Sequence, residues 1–231
     1  MNCLADNSPV RFFPVLPLLC GFMATGVQII LLREFLVLCG GNELTIGCFF
    51  GGWLLFGAVG SAVGGAVRRG DEKTLGASLT ALSLLLILAG FWALWMLKEM
   101  RGFLGLNPGE ALSVGQALLA VVCSLLPVNV LLGACFVISC DLRSRTGMAA
   151  AGPLREVYRF ESLGSLLAGV LVSLVLILFL NGAQSLCVLA GTGFALISFF
   201  VLGNRWPPRP HIAWVAPLWL GTGVFVLAVV S

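Results

Sequence analysis

Charged and amide side chains interrupt an apolar stretch between residues 20 and 73, and this pattern restricts the chain more than any other feature. The stretch holds two apolar segments, each long enough to cross a bilayer, joined by Gly40-Gly41-Asn42. A charge inside a membrane helix costs about 2.5–3.5 kcal/mol on insertion scales, so it usually faces other helices or a cavity. Gln28, Arg33 and Glu34 interrupt the first segment, Glu43 follows the Gly40-Gly41-Asn42 break, and the second segment stops at Arg68-Arg69.

The rest of the chain continues the apolar character. It is 59% hydrophobic and 10% charged, whereas soluble domains carry about 25% charge. We therefore predict an all-α polytopic transmembrane bundle that forms one integral membrane domain, 1–231, in contact with lipid and not with nucleic acid. No polar stretch is long enough to fold as a soluble domain. Seven apolar runs are long enough to span: about 12–37, 44–67, 75–97, 114–138, 158–180, 184–202 and 212–230.

Loop charges predict the orientation. If the spans alternate, ten basic loop residues lie on one side, and only Lys98 and Arg101 lie on the other. The positive-inside rule then places the N-terminus in the cytoplasm and the C-terminus in the periplasm, in an inner membrane. The first residues lack a basic n-region, so we read the first span as a retained anchor. Trp92 and Trp95, near one span end, fit an aromatic belt, as do Trp206 and Trp214.

The connections and the small residues predict how the spans meet. Tight turns are expected at 40–42 and 181–182, and an interfacial amphipathic segment at 98–115. The segment 141–155 reads as a polar loop. Small residues in the second and fifth spans predict a tightly packed pair of helices, because they allow backbones to approach closely. The packing candidates are Gly57, Gly60, Gly64 and Gly164.

The first candidate site comprises Gln28, Arg33 and Glu34, with Glu43 just beyond the turn. The first three cannot share one narrow helical stripe, so at least one must meet a neighbouring helix. Adjacent helical residues do not face each other, so Arg33 and Glu34 would pair with charges on other helices. The alternative is that the span tilts and Arg33 snorkels to the interface.

The second candidate site lies at the start of the fifth span. Tyr158 and Glu161 fall on one helical face, and Arg155 and Arg159 on another. Glu161 is the deepest and the strongest candidate for a ligand or proton site. The alternative is an ordinary amphipathic helix start, which suits Arg155 and Glu156 better.

Other features favour packing over chemistry. Pro127 and Asn129 interrupt the fourth span, where proline frees a backbone carbonyl that needs another partner; a packing kink is the simpler interpretation. The eight cysteines form no CxxC pair and His211 is the single histidine, so no metal or cofactor site is expected. Cysteines within apolar runs act as small hydrophobes. No nucleophile, base and ligand constellation is visible, so we expect no catalysis by this chain alone.

Two segments resemble a known family. GFMATGVQIILLREFLVLCGGNELTIGCFFGGWLLFGAVGSAVGG and GPLREVYRFESLGSLLAGVL resemble the N-terminal membrane domain of bacterial membrane-fused spermidine synthase-like proteins. That resemblance implies major-facilitator-like helices, here a six-helix half plus one, followed in the family by a cytoplasmic aminopropyltransferase-type domain. This sequence holds no such domain, so aminopropyl transfer is assigned to no residue. A cytoplasmic domain would also need a C-terminus inside, whereas seven spans place it outside; a shortened relative is one explanation.

Two functions follow as expectations. The first is a membrane module of that family that binds or transports a cationic solute, such as a polyamine, or protons at Glu34, Glu43 and Glu161. The second is a membrane anchor subunit that holds a soluble synthase-like partner and moves no solute. Transport predicts a water-accessible route to Glu34 or Glu161, and anchoring predicts sealed packing with an exposed docking surface. A homo-oligomer is compatible with either.

Overall fold

The chain forms a bundle of helices that runs back and forth through one hydrophobic core. The computed structural model describes residues 14–41, 43–67, 72–107, 110, 112–145 and 152–204. Those residues form six helices and no strand. Five of the helices are long and apolar enough to cross a membrane, and the apolar part of the sixth, Gly182–Ser198, is shorter. The helices are α1 (Val15–Cys39), α2 (Glu43–Val67), α3 (Glu72–Phe103), α4 (Val114–Ser144), α5 (Gly152–Phe179) and α6 (Gly182–Asn204).

Helix α1 lies at the centre of the bundle. It contacts α3, α4, α5 and α6, and more than half of its residues are buried. Leu16, Val27, Leu31 and Phe35 are fully enclosed along its length. Helices α2 and α5 lie at the periphery and expose most of their apolar side chains, as helices that face lipid do. The membrane-protein character of the sequence is thus matched by an all-helical bundle.

Local sequence determines where several helices begin and end. Helix α1 stops at two glycines in the left-handed region, Gly40 (φ 72°) and Gly41 (φ 78°), and both amides donate to the carbonyl of Leu36. Asn181 caps α6: its Oδ1 accepts from the Gln184 amide at 2.8 Å, and the Gln184 side chain accepts from the Asn181 amide. The turn predicted at 181–182 is confirmed, and the turn predicted at 40–42 is confirmed for residues 40 and 41; residue 42 lies outside the described residues.

Two predicted boundaries are wrong. The predicted connection 98–115 starts later, because its first six residues continue α3 to Phe103, and its location at the interface stays a prediction. Helix α3 ends there because Gly105 (φ 63°) reverses the chain and the Leu106 amide bonds the Arg101 carbonyl. The predicted polar loop 141–155 is also shorter, because α4 runs to Ser144 and α5 starts at Gly152. The seventh predicted span, 212–230, lies outside the described residues, as do Trp206 and Trp214.

The predicted pairing of the second and fifth spans is wrong, because each packs on a different helix. Helix α2 packs on α4: a Cβ on Gly60 would lie 2.7 Å from Val130 Cα, and one on Gly64 2.8 Å from Ala134 Cα. Helix α5 packs on α1, where Gly164 lies against the backbone of Leu18. Small residues permit close approach but do not specify the partner. A Cβ on Gly57 would meet no atom within 4 Å, so only the backbone of Gly57 takes part in the packing: its carbonyl oxygen lies against Gly133 of α4.

Candidate functional site

Glu161 lies where α5 crosses α1. Its backbone carbonyl packs directly against the α-carbon of Gly21, and no side chain larger than hydrogen would fit there. One turn further along α5, Ser165 Oγ donates to the Gly21 carbonyl oxygen at 3.2 Å. The crossing therefore holds Glu161 next to the backbone of the central helix, with its side chain half-buried.

Two cysteines lie within electrostatic range of Glu161. Its charge acts on Cys20 of α1 and on Cys140 of α4, and the Cys20 thiol in turn contacts that of Cys135. Within the described part of the chain, the Glu161 carboxylate has no hydrogen bond and no ion pair. A half-buried carboxylate at a helix crossing, with no described hydrogen bond or ion pair, needs a ligand, a proton or water.

The other members of the second candidate site do not share the surroundings of Glu161. Arg155, Tyr158 and Arg159 are exposed, Tyr158 by 64%. Glu156, which the sequence assigned to an ordinary helix start, forms a double ion pair with Arg143 of α4: Nε–Oε2 is 2.8 Å and Nη2–Oε1 is 2.9 Å. This pair ties the end of α4 to the start of α5, and the sequence analysis missed it because the partner is on another helix.

The structure divides the first candidate site among three places. Arg33 and Glu43 are exposed near the turn after α1. The Glu34 carboxylate packs on Gly182, the first residue of α6, so one of the polar residues does meet a neighbouring helix. Gln28 lies two turns deeper and half-buried. It has the same helical face as Gly21, seven residues earlier, and therefore belongs with the α1–α5 crossing and not with Arg33.

A further residue that sequence reasoning missed is Arg101 at the end of α3. Its Nη2 donates to the carbonyl oxygen of Leu38 at 2.9 Å, and its Nη1 donates to that of Glu110 at 3.2 Å. The guanidinium thus satisfies a carbonyl at the C-terminal end of α1, where a cation is also favoured by the helix dipole. Arg101 therefore has a structural role. From the sequence it could be identified only as one of the loop charges that predict the orientation.

The described residues contain no group of three histidine, cysteine or carboxylate side chains able to hold a metal ion. What the arrangement offers chemically is one acidic side chain at a helix crossing, followed along the same interface by hydroxyl and amide groups. No protein-family model, curated protein or solved structure matches this chain.

Proposed function

We propose that this protein is an integral membrane protein that binds a cation or a proton at Glu161. The single observation that supports the proposal is that the half-buried Glu161 carboxylate, inside a membrane-spanning helix, has no hydrogen-bond or ion-pair partner among the described residues. Ionisable groups inside membrane spans are costly to keep and mark ion or substrate pathways in many membrane proteins.

The position of Glu161 favours access from one end of the bundle. It lies nine residues after the start of α5, about 14 Å along the helix at 1.5 Å per residue. Arg155 and Arg159 are exposed between it and the helix start. A cation therefore reaches Glu161 from the end where α5 begins, which the loop charges assign to the cytoplasm.

The wider context of the proposal comes from the sequence. We assign the chain to an inner membrane with seven spans, including 212–230, with a cytoplasmic N-terminus and a periplasmic C-terminus. The first six spans form a major-facilitator-type half. The resemblance to spermidine synthase-like membrane domains supports a polyamine or a proton as the cation. Periplasm-specific reporter fusions after Lys73 and after Ser231 test the orientation: activity is expected only at Ser231.

A second function is supported by the exposed basic residues at the same end. Arg145, Arg155 and Arg159 are exposed there, and they offer a docking surface to an acidic soluble partner. In that function the protein anchors a synthase-like subunit or another cytoplasmic protein, and Glu161 contributes only to packing.

The test compares wild type with Glu161→Gln in proteoliposomes, because the amide keeps the shape of the carboxyl and removes its charge. Uptake of polyamine, sodium and protons is measured in parallel. We expect the variant to elute as a folded monodisperse species and to lose uptake at least tenfold. Arg159→Gln, two residues away and exposed, is the matched control and should retain uptake. Equal uptake by wild type and Glu161→Gln would contradict the proposal, and a soluble partner captured by both would favour anchoring.

A further inference from the structure

A line of oxygen-bearing side chains follows the interface between α1 and α5, which we call the α1–α5 seam. The two helices run parallel along it, because Gly21 meets Glu161, Ser165 bonds Gly21, and Thr25 Cγ2 lies 3.9 Å from where a Cβ on Gly169 would be. On α1, Gly21, Thr25 and Gln28 are spaced i, i+4 and i+7, which places them on one face. The line is Glu161, Ser165, Thr25 and Gln28.

The four side chains are spread along the two helices, so they line a path and do not form one compact site. At 1.5 Å per residue, Thr25 lies about 6 Å beyond Gly21 along α1, and Gln28 about 5 Å beyond Thr25. Because side chains tilt towards the helix N-terminus, Gln28 leans back towards Thr25, and Glu161 leans towards the end where α5 begins. Consecutive members of the line are thus about 5–6 Å apart along the helix axes, a rise that one water molecule or ion can bridge.

Three members of the line have no hydrogen bond of their own to the described part of the chain. Neither Thr25 nor Gln28 has a hydrogen bond within the described part of the chain, and Glu161 has none either. Polar groups inside the bilayer need a partner, because lipid supplies none. Water or an ion in the seam would supply it, since each of these side chains offers oxygen acceptors.

The backbone of α5 changes at the inner end of the line. Residues Val172–Leu176 form a π-helical turn, which contacts α1. A π turn shifts the carbonyl register of a helix, and such turns often mark functional sites. The turn begins three residues after Gly169, so it flanks α1 at the level of Gln28.

We propose that the α1–α5 seam admits a monovalent inorganic cation, sodium or hydronium, from Glu161 inwards to Gln28, with Ser165 and Thr25 as intermediate oxygen ligands. Oxygen ligands suit hard cations. Because the two backbones touch at Gly21 and at Gly164, only a small ion can pass among the side chains that line the seam. The proposal rests on the cation-binding role of Glu161 and specifies which class of cation uses that site.

Silver-ion accessibility tests the path, because Ag⁺ is a small monovalent cation that reacts with thiols and does not cross apolar packing. The eight native cysteines are replaced, and single cysteines are introduced at Thr25 or Gln28. Leu166→Cys, at a position on α5 that is 62% exposed, is the apolar-surface control. Arg145→Cys and Asn107→Cys mark the two ends of the bundle. Thiols that remain after Ag⁺ treatment are counted with a maleimide in denaturant.

We expect T25C and Q28C to react at least tenfold faster than L166C, and only when Ag⁺ is added from the side that modifies R145C. Reaction no faster than L166C would overturn the proposal, even if Glu161-dependent uptake is observed. The rate of Ag⁺ modification of T25C and Q28C is then measured in sodium nitrate and in choline nitrate, and at neutral and at acidic pH. Protection by sodium identifies sodium as the ion, protection by acid alone identifies hydronium, and protection by neither overturns the ligand assignment.

A second measurement does not depend on the cysteine-free background. In the native chain, Gln28→Leu and Thr25→Val should each lower sodium or proton uptake at least fivefold, while Ile29→Leu, at the neighbouring position, should not. Unchanged uptake in both polar variants, with uptake still lost in Glu161→Gln, would leave the proposed function standing and reject the seam. The wild-type protein should take up no spermidine in the same assay, and robust spermidine uptake would reject the inorganic cation.

Discussion

Trp92 Nε1 on α3 donates to the carbonyl oxygen of Cys123 on α4 at 3.2 Å. Cys123 is four residues before Pro127, which lies inside α4 and has no amide hydrogen to offer that carbonyl. The indole therefore replaces the hydrogen bond that proline removes from the helix ladder. A residue that fits an aromatic belt by its sequence position has a defined bonding role between two helices.

We expect Trp92→Phe to lower the free energy of unfolding by about 1 kcal/mol, because the Cys123 carbonyl loses its donor. In a Pro127→Ala background the same substitution should cost less, since the alanine supplies a backbone amide to that carbonyl. Trp95→Phe is the matched control, as Trp95 is exposed to a similar extent. Denaturation in mixed micelles measures all four variants. Equal costs of Trp92→Phe in both backgrounds would show that the indole does not compensate for the proline.

Pro127 and Trp92 also show which parts of the structure could be predicted from the sequence. That Pro127 would leave a carbonyl in need of a partner follows from proline chemistry alone. That the partner is Trp92 does not, because it depends on which helix packs beside α4. Likewise, the length of apolar runs predicts helices, but the continuation of α3 to Phe103 depends on the stop at Gly105. Composition does not locate such a stop.

The candidate site was predictable to a similar degree. Glu161 stands out because it is an acid beyond the polar start of an apolar helix. Gln28 was grouped with Arg33 and Glu34 because they are near in sequence, although their helical faces differ. Only the crossing of α5 at Gly21 places Gln28 on the helical face that meets Glu161. Helix pairing is a long-range property, and small residues alone led to the wrong pair of helices.

The packing of α2 on α4 predicts opposite effects of alanine at two glycines of one helix. A Cβ on Gly60 would lie 2.7 Å from Val130 Cα, whereas one on Gly51 would meet nothing within 4 Å. Gly60→Ala should lower the unfolding free energy by about 1–3 kcal/mol through overpacking. Gly51→Ala should raise it by up to about 1 kcal/mol through helix propensity. Unfolding in mixed micelles measures both, and equal effects would mean that α2 does not pack through Gly60.

The ion pair between Arg143 and Glu156 should contribute more than the pair within α4 beside it, Arg145–Asp141. Its side chains are only 15% and 23% exposed and form two short bonds between α4 and α5. We expect Glu156→Gln to cost about 1–2 kcal/mol. Arg145→Gln, which removes a bond to Asp141 within α4, should cost about 0.5 kcal/mol or less.

A double-mutant cycle with Arg143→Gln separates this coupling from general charge effects. We expect the double variant to lose less unfolding free energy than the sum of the two single losses, because the second substitution has no ion pair left to break. A coupling energy near zero would show that α4 and α5 are held together at this end by apolar packing alone.

Glu34 provides the last prediction, because its carboxylate packs on the first residue of α6. Free amides at a helix N-terminus favour a negative charge by about 0.3–1 kcal/mol. Glu34→Gln should therefore lower the unfolding free energy by about that amount while Glu161-dependent uptake continues. Gly182→Ala should act on the same contact, since a Cβ there would occupy the position of the Glu34 carboxylate. If Glu34→Gln instead abolishes uptake at unchanged stability, Glu34 belongs to the cation path, and the helix-end role assigned to it is wrong.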